Sequence, residues 1–393
     1  MIDRLAEVAI SDRQVSRITE EIGAEMARQR DLKTARFQAK TLPAAVAGIP
    51  SLAVVEIDGG RYQVRDPAVG SGPGAHGVGW KEDKFACLVT MTGTSFDHDP
   101  HPDLPRCFLD KKGVAKLIKG LTSQGSLNEL TDGAGGDETP ELTVFDATET
   151  AEPAPAWPPE PLVRTTVATT GDCDALGPMV AAEAQSRNFD RAPRKAFLGD
   201  GGKWIWGIQK AFFSKYTPIV DFIHALSYVY LAAKAVAASP AEHWETYLEW
   251  ARACWQGNVE MVIAQLTVWR DRLGPLPSDD ELPKTDPRKV VATTLGYLEN
   301  NRSRMKYPDY RRAGLPTMSG LVESLIKQFN YRVKGTEKSW TLKNAERILQ
   351  VRAAVLSEDE RFEKHMENRP CPQFRRYEKT SESGEPKKYK KAG

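Results

Sequence analysis

The chain has 393 residues, 40% of them hydrophobic and 8% aromatic, an ordinary globular composition that excludes a wholly disordered or fibrous chain. Lys and Arg total 54 against 53 Asp and Glu, so the net charge is +1 and no overall basic excess announces a nucleic-acid partner. At about 150 residues per domain, two or three domains are expected. The sequence contains no run of about 18 apolar residues that would span a membrane. Met1-Ile2-Asp3-Arg4 lacks the basic-then-apolar layout of a secretory signal. Five scattered cysteines (Cys87, Cys107, Cys173, Cys254, Cys371) form no CxxC pair, which argues against a disulfide framework or a cysteine zinc site and favours a reducing cytoplasm.

In chain order, Ile10, Val15, Ile18, Ile22 and Met26 recur near helical period, and Ser11-Asp12 suits the cap of the second of two short helices. The apolar run from Leu52 to Ile57 ends at Asp58-Gly59-Gly60, and Arg61 to Arg65 alternates afterwards, which reads as two strands around a tight turn. A glycine-rich loop, Gly70 to Gly79, precedes a strand over Phe85 to Met91. A short helix is expected from Val114 to Leu121. Between Asn128 and Pro161 the composition shifts to Gly, Glu, Thr and Pro, the mark of an insertion or linker. A helix over Met179 to Ser186 leads to a short buried strand, Lys195 to Leu198, ending at Gly199-Asp200-Gly201-Gly202. Lys203 to Ile208 enters a helix, and a strand from Tyr216 to Val220 runs into Asp221. The next hundred residues carry almost no strand signal: helices are expected over Phe222 to Ala238, Ala241 to Arg252, Val259 to Leu273 and Arg288 to Asn301. A last strong helix spans about Ser319 to Val333, and the tail from Arg361 is rich in Lys and Arg. Strands first and an all-helical block later describe an α/β layer architecture.

Three acids stand out by placement. Asp58 and Asp200 each follow a short apolar run and precede Gly-Gly. Carboxylates at the ends of core strands can hold a divalent metal, yet Asp-Gly-Gly is equally a good turn. Glu323 lies on the helix whose apolar stripe is Leu321, Leu325 and Phe329, with Val322, Ile326 and Val333. It precedes Lys327 by four, so an exposed ion pair is its default. Asp221 and His224 are three apart at a strand-to-helix junction and read first as an N-cap and a packed surface histidine. His98 and His101, in Asp97-His98-Asp99-Pro100-His101, read as a polar loop in preference to a metal cluster. Gly70 to Gly79 lacks Gly-Lys-Ser/Thr, so it is no phosphate loop. Trp204 and Trp206 read as core anchors, with base stacking the alternative.

Together these segments resemble the DDE transposases of bacterial insertion sequences, most closely the ISKra-type group and its ISLre-type relatives, and more distantly Mutator-like transposases. Tyr297-Leu298-Glu299-Asn300-Asn301-Arg302-Ser303-Arg304-Met305-Lys306-Tyr307-Pro308, then Gly314-Leu315-Pro316-Thr317-Met318-Ser319-Gly320-Leu321-Val322-Glu323-Ser324, continuing through Lys327, Arg332, Lys334 and Trp340, resembles the segment around the family's last catalytic glutamate. Leu198 to Trp206 is similar to that around the second aspartate. Val55-Glu56-Ile57-Asp58-Gly59-Gly60 with Arg65 is similar to that around the first, and Trp80-Lys81-Glu82-Asp83-Lys84 to the strand that follows. Asp221-Phe222-Ile223-His224 is similar to a Cys/Asp-x-x-His element after the second aspartate. The resemblance covers roughly residues 10–360. Because the chain starts close to it, a preceding DNA-binding region of longer members is expected to be lacking.

The resemblance implies a ribonuclease H-like mixed sheet interrupted by an all-helical insertion domain, with a helical N-terminal segment. The expected division is a helical segment over 1–43, suited to DNA binding, then a first part of the core over 44–127 and a linker or insertion over 128–162. The second part of the core follows over 163–223, a helical insertion over 224–318, returning and C-terminal helices over 319–356, and a basic tail over 357–393. It implies a DNA transposase in which Asp58, Asp200 and Glu323 hold Mg2+, with Mn2+ as substitute, Asp221 and His224 support the site, and Arg302, Arg304, Lys306, Lys327, Arg332 and Lys334 contact DNA. The implied partners are double-stranded DNA, as transposon ends and as target, and further copies of the chain on that DNA. The implied setting is the bacterial cytoplasm and nucleoid, with no membrane. The rival readings are a catalytically silent, transposase-derived DNA-binding accessory protein and a metal-dependent nuclease that cuts without joining.

Overall fold

Apolar alternation from Leu52 carries straight through Asp58-Gly59-Gly60, and Leu52–Asp66 forms one strand, β1. It pairs antiparallel with β2 (Gly77–Thr92), with Asp58 opposite Phe85, so the expected tight turn at Asp58 is absent. The glycines answer a different need: a Cβ on Gly60 would come within 2.5 Å of Asp83 Oδ1 and 2.7 Å of Phe85 Cε2 on the next strand, a close approach that excludes a side chain. The computed structural model describes residues 11–66, 77–124, 157–276, 282–333 and 340–369. Most of the Gly70 to Gly79 loop, most of the 128–161 stretch and the lysine tail lie outside the described residues.

β3 (Glu160–Thr169) pairs antiparallel with the other side of β2, with a register shift at Thr90/Met91 where Pro161 joins. The expected linker over 128–162 covers only the first residues of this strand, and the rest falls in the expected second part of the core with no strand assigned; Pro158, Pro159 and Pro161 obscure its start, and proline is tolerated there since β3 is an edge. Trp157, expected in the same linker, is buried and lies edge-on to Trp255. On the opposite side of β1, β4 (Arg194–Gly199) and β5 (Thr217–Val220) add parallel, giving the order β3-β2-β1-β4-β5. The described residues therefore form a mixed α/β fold on a mixed five-stranded sheet.

Period-two alternation splits β1 between two cores. Ala53, Val55 and Ile57 face a layer with Leu176, Val180, Ile205 and Ile208, from α3 (Cys173–Ser186) and α4 (Lys203–Phe212). Leu52, Val54 and Tyr62 face the larger core on the other side of the sheet. That core includes α2 (Lys111–Gln124) and four helices close to those expected: α5 (Phe222–Val236), α6 (Pro240–Trp255), α7 (Val259–Leu273) and α8 (Pro287–Asn301). Ser239 and Asp286 cap α6 and α8, each with proline at the first position, where a missing N–H costs nothing. The short α9 (Tyr307–Arg312) follows, then α10 (Gly320–Val333), α11 (Leu342–Val355) and α12 (Arg361–Asn368). No helix among the described residues is long and apolar enough to cross a membrane.

Ser11 caps α1 (Asp12–Gln38) through a reciprocal box with Gln14. Residues 1–10, where the first of the two expected short helices would lie, are outside the described residues. Ion pairs tie α1 to the rest: Arg30 to Glu346 of α11, Lys33 to Glu183 of α3, and Glu25 to His365 and Arg369. Burial alone would push the Glu183 carboxyl up, but Arg361 and Lys33 outweigh it and hold it well below the ordinary range. Both sheet edges are bonded. Along β3, Arg164 exchanges backbone bonds with Glu358 side chain and N–H, Ser357 accepts from Thr166 N–H, and Gln350 donates to Ala168 O. Along β5, the hydroxyls of Tyr310 and Tyr307 donate to the carbonyls of Pro218 and Val220.

The Asp97 to His101 segment is a polar loop, as expected, and it carries an anchor. Asp99 accepts from Arg311 Nε at 2.7 Å and Nη2 at 2.5 Å, while the fully buried guanidinium lies 4.1 Å over Trp255 and donates to its carbonyl. Removing one partner of such a buried pair strands the other, at a cost on the order of 3–5 kcal/mol. Arg311→Ala is expected to lower the urea-unfolding free energy by that amount, whereas Arg312→Ala, at an exposed pair, leaves it within about 0.5 kcal/mol.

Candidate active site

Parallel pairing sets Ile57 beside Gly199, and Gly199 beside Val220. The next residue in each of these three segments is an aspartate, Asp58, Asp200 and Asp221, so register alone aligns three acids across adjacent strands. Their environments then separate them.

Asp58 is only 9% exposed, and its Oδ1 accepts from the Gly59 N–H at 2.7 Å. Burial pushes its carboxyl up to about 7, and the charge of Asp200 is the next contributor in the same direction, with His224 pulling the other way. Asp200 is half-buried at the end of β4. Its Oδ1 accepts from Gly202 N–H at 2.7 Å, and its carbonyl accepts from Tyr297 Oη at 2.8 Å. Tyr297, from α8, stacks on Tyr228 of α5 with centroids 3.8 Å apart. Gly201 has φ +106°, and a Cβ there would lie 2.6 Å from the Tyr297 ring, so positive φ and close approach both demand glycine.

Asp221 is fully buried and saturated. Its Oδ1 accepts from Ile223 N–H (3.1 Å) and Ser319 N–H (3.3 Å), its Oδ2 from His224 Nδ1 (2.8 Å) and Ser319 Oγ (2.7 Å). Burial alone would raise its carboxyl; the bonds from His224 and Ser319 outweigh that and hold it below the ordinary range. It is the N-cap expected for α5, while His224 is buried and not a surface side chain. Asp221 therefore fastens the start of α10 to the end of β5.

Glu323 lies in the first turn of α10, which sits on the Asp58 face of the sheet. Val322, Leu325, Ile326 and Phe329 are buried there, and the Phe329 ring is 4.6 Å from that of Phe85, the cross-strand partner of Asp58. The side chain of Glu323 lies outside the described residues. Among the described residues no group of three His, Cys, Asp or Glu stands close enough to hold a metal ion.

The expected DNA-contacting residues divide. Arg302 and Lys306 are exposed, and Lys327 is half-buried on α10. Arg304 is held in place: its guanidinium lies 4.5 Å over the Trp206 ring and donates to Asn300 O, while Asn301 Oδ1 accepts from Trp206 Nε1. Trp206 thus serves both core and surface, and Trp204 lies beneath Lys84 Nζ at 4.3 Å. The side chains of Arg65 and Arg332, and residue Lys334, lie outside the described residues.

Sequence reading assigned no role to Glu56, Ser319 or Tyr297. Glu56 carried a signal, a carboxylate inside an apolar strand; Ser319 and Tyr297 act through contacts distant in sequence and carried none. No protein-family model matches the chain, and a search of curated proteins finds no similar sequence.

An aspartate whose carboxyl is raised on folding binds an extra proton in the native state between its unfolded value of 3.8 and about 7. Stability therefore falls as pH rises through that window. In the metal-free protein, Asp58→Asn is expected to raise the urea-unfolding free energy at pH 8 by on the order of 2–4 kcal/mol. That gain should vanish below about pH 4, where Asp58 is protonated in both states; equal midpoints at pH 8 would contradict the burial.

Proposed function

We propose that the chain is a DDE-type DNA transposase of the bacterial insertion-sequence kind, with a ribonuclease H-like core and the helices from α5 to α9 as its insertion. The observation that carries this reading is the alignment of Asp58 and Asp200 at adjacent register positions of neighbouring parallel strands, with the helix bearing Glu323 on the same face. Strand order supports it: the central β1 has an antiparallel pair of strands on one side and a parallel pair on the other.

The donor set suits a hard divalent cation. Two carboxylates side by side, one buried enough to be protonated near pH 7 without a counter-charge, offer oxygen ligands whose repulsion a cation removes. Asp58, Asp200 and Glu323 would hold Mg2+ or Mn2+; when bound, the ions supply activation of water or a 3′-hydroxyl and stabilisation of the leaving oxygen in an in-line displacement. The chain's own residues do the rest. Tyr297 and the Gly201 turn fix Asp200, Asp221 and His224 fix the start of α10, and Arg304 presents a guanidinium stacked on Trp206 beside the Asp200 turn. Arg302, Lys306 and Lys327 extend a cationic rim for phosphates, with Arg332 and Lys334 as further DNA contacts that the sequence resemblance implies; local charge allows this in a chain of nearly zero net charge. The partners are transposon ends and target duplex, handled by an oligomer of the chain in the bacterial cytoplasm.

The test uses the full chain, labelled duplex ends taken from the DNA flanking its gene, a supercoiled plasmid, and Mg2+ or Mn2+. Joined products are expected; cuts without joining would mean a nuclease, and no product an accessory protein. Alanine at Asp58, Asp200 or Glu323 is expected to drop cleavage below detection while duplex binding persists. Arg304→Ala should weaken binding and reduce the salt slope by about one.

A further inference from the structure

We infer that Glu56 is a positioning residue that sets the register of α10 along β1, and with it the place of Glu323; the inference rests on the transposase reading above. Glu56 is 1% exposed, on the face of β1 that buries Leu52 and Val54. A carboxylate in such surroundings costs several kcal/mol unless strongly bonded, and a leucine would fill the site without that cost. Its Oε2 accepts from the Val322 N–H at 2.8 Å. That N–H belongs to the first turn of α10, where backbone donors lack intrahelical partners and the helix dipole favours an anion.

The geometry links this bond to the site from both ends. Glu56 precedes Asp58 by two in the same strand and so shares its face; Val322 immediately precedes Glu323. A slip of α10 by one residue moves it about 1.5 Å along its axis, enough to break the bond and spoil a constellation that tolerates about 0.5 Å. Asp221 grips the same turn from β5 through Ser319. One anchor would leave the helix free to pivot; two, from different strands, remove slide and rotation together.

Two substitutions separate reach from charge. Glu56→Gln keeps the acceptor at the same distance without the charge; Glu56→Asp keeps the charge but withdraws the acceptor by one methylene. Mn2+ alone is titrated into the full-length chain by calorimetry, beside Glu323→Ala and the Glu56→Asp/Glu323→Ala double variant. Glu56→Gln is expected to bind Mn2+ within about twofold of wild type, and Glu56→Asp to bind about tenfold more weakly with an unchanged circular dichroism spectrum. The double variant should be no weaker than Glu323→Ala, because both changes act through one group. Loss in the Gln variant with retention in the Asp variant would overturn the inference, as would effects that multiply in the double variant. Val322 amide exchange adds a measurement that needs no Asp variant: slow exchange in wild type and Glu56→Gln is expected, and fast exchange in wild type would overturn it. If Glu323→Ala weakens Mn2+ binding and Glu56→Asp does not, the positioning role alone fails. If wild type binds no Mn2+, the transposase reading fails and takes this inference with it.

Discussion

The pairing of β1 with β4 is the constraint on which the molecule turns. β1 is the centre of the sheet, antiparallel to β2 on one side and parallel to β4 on the other. Its register with β4 decides which residue stands beside Asp200. A slip of one residue would exchange the two faces of β1, sending Asp58 and Glu56 into the layer with Leu176 and Ile205 and bringing Ile57 to the acidic side. The two cores guard against this: Val55 and Ile57 are wholly buried on one face, and Leu52, Val54 and Tyr62 on the other. Hydrophobic patterning and the placing of the acids are thus one specification.

Local signals were legible in the sequence where they were strong. The helices of the strand-poor block are legible nearly to their ends because an apolar face of period near 3.6 marks their bodies; the Ser239-Pro240 and Asp286-Pro287 starts lie one residue outside the expected bounds. Ser11 was read as a cap. The failures have physical causes too. Asp58-Gly59-Gly60 has the composition of a turn, but here the glycines make room for Asp83 and Phe85 across the strand pair, and composition cannot separate crowding from bending. β3 escapes a sequence reading because Pro158 and Pro159 just before it and Pro161 within it imitate a linker; its edge position makes Pro161 acceptable.

The site was legible in part. Asp58, Asp200 and Asp221 announce themselves by sitting after short apolar runs, and pairing then aligns them. What holds them does not announce itself. Ser319 meets Asp221, and Tyr297 meets the Asp200 carbonyl, across intervals of about a hundred residues that no periodicity encodes. Glu56 is intermediate: its burial followed from its strand, its partner did not. The supports of a site are harder to read than its acids, because supports are defined by what they touch.

The bonded margins of the sheet have a consequence for assembly. β3 spends edge groups on Ser357, Glu358 and Gln350, while β5 has a proline in mid-strand and carbonyls taken by two tyrosines. Neither border offers the run of vacant amides and carbonyls that another backbone needs to zip onto. Contacts made at these two borders would therefore have to use side chains and helix faces in place of added strands.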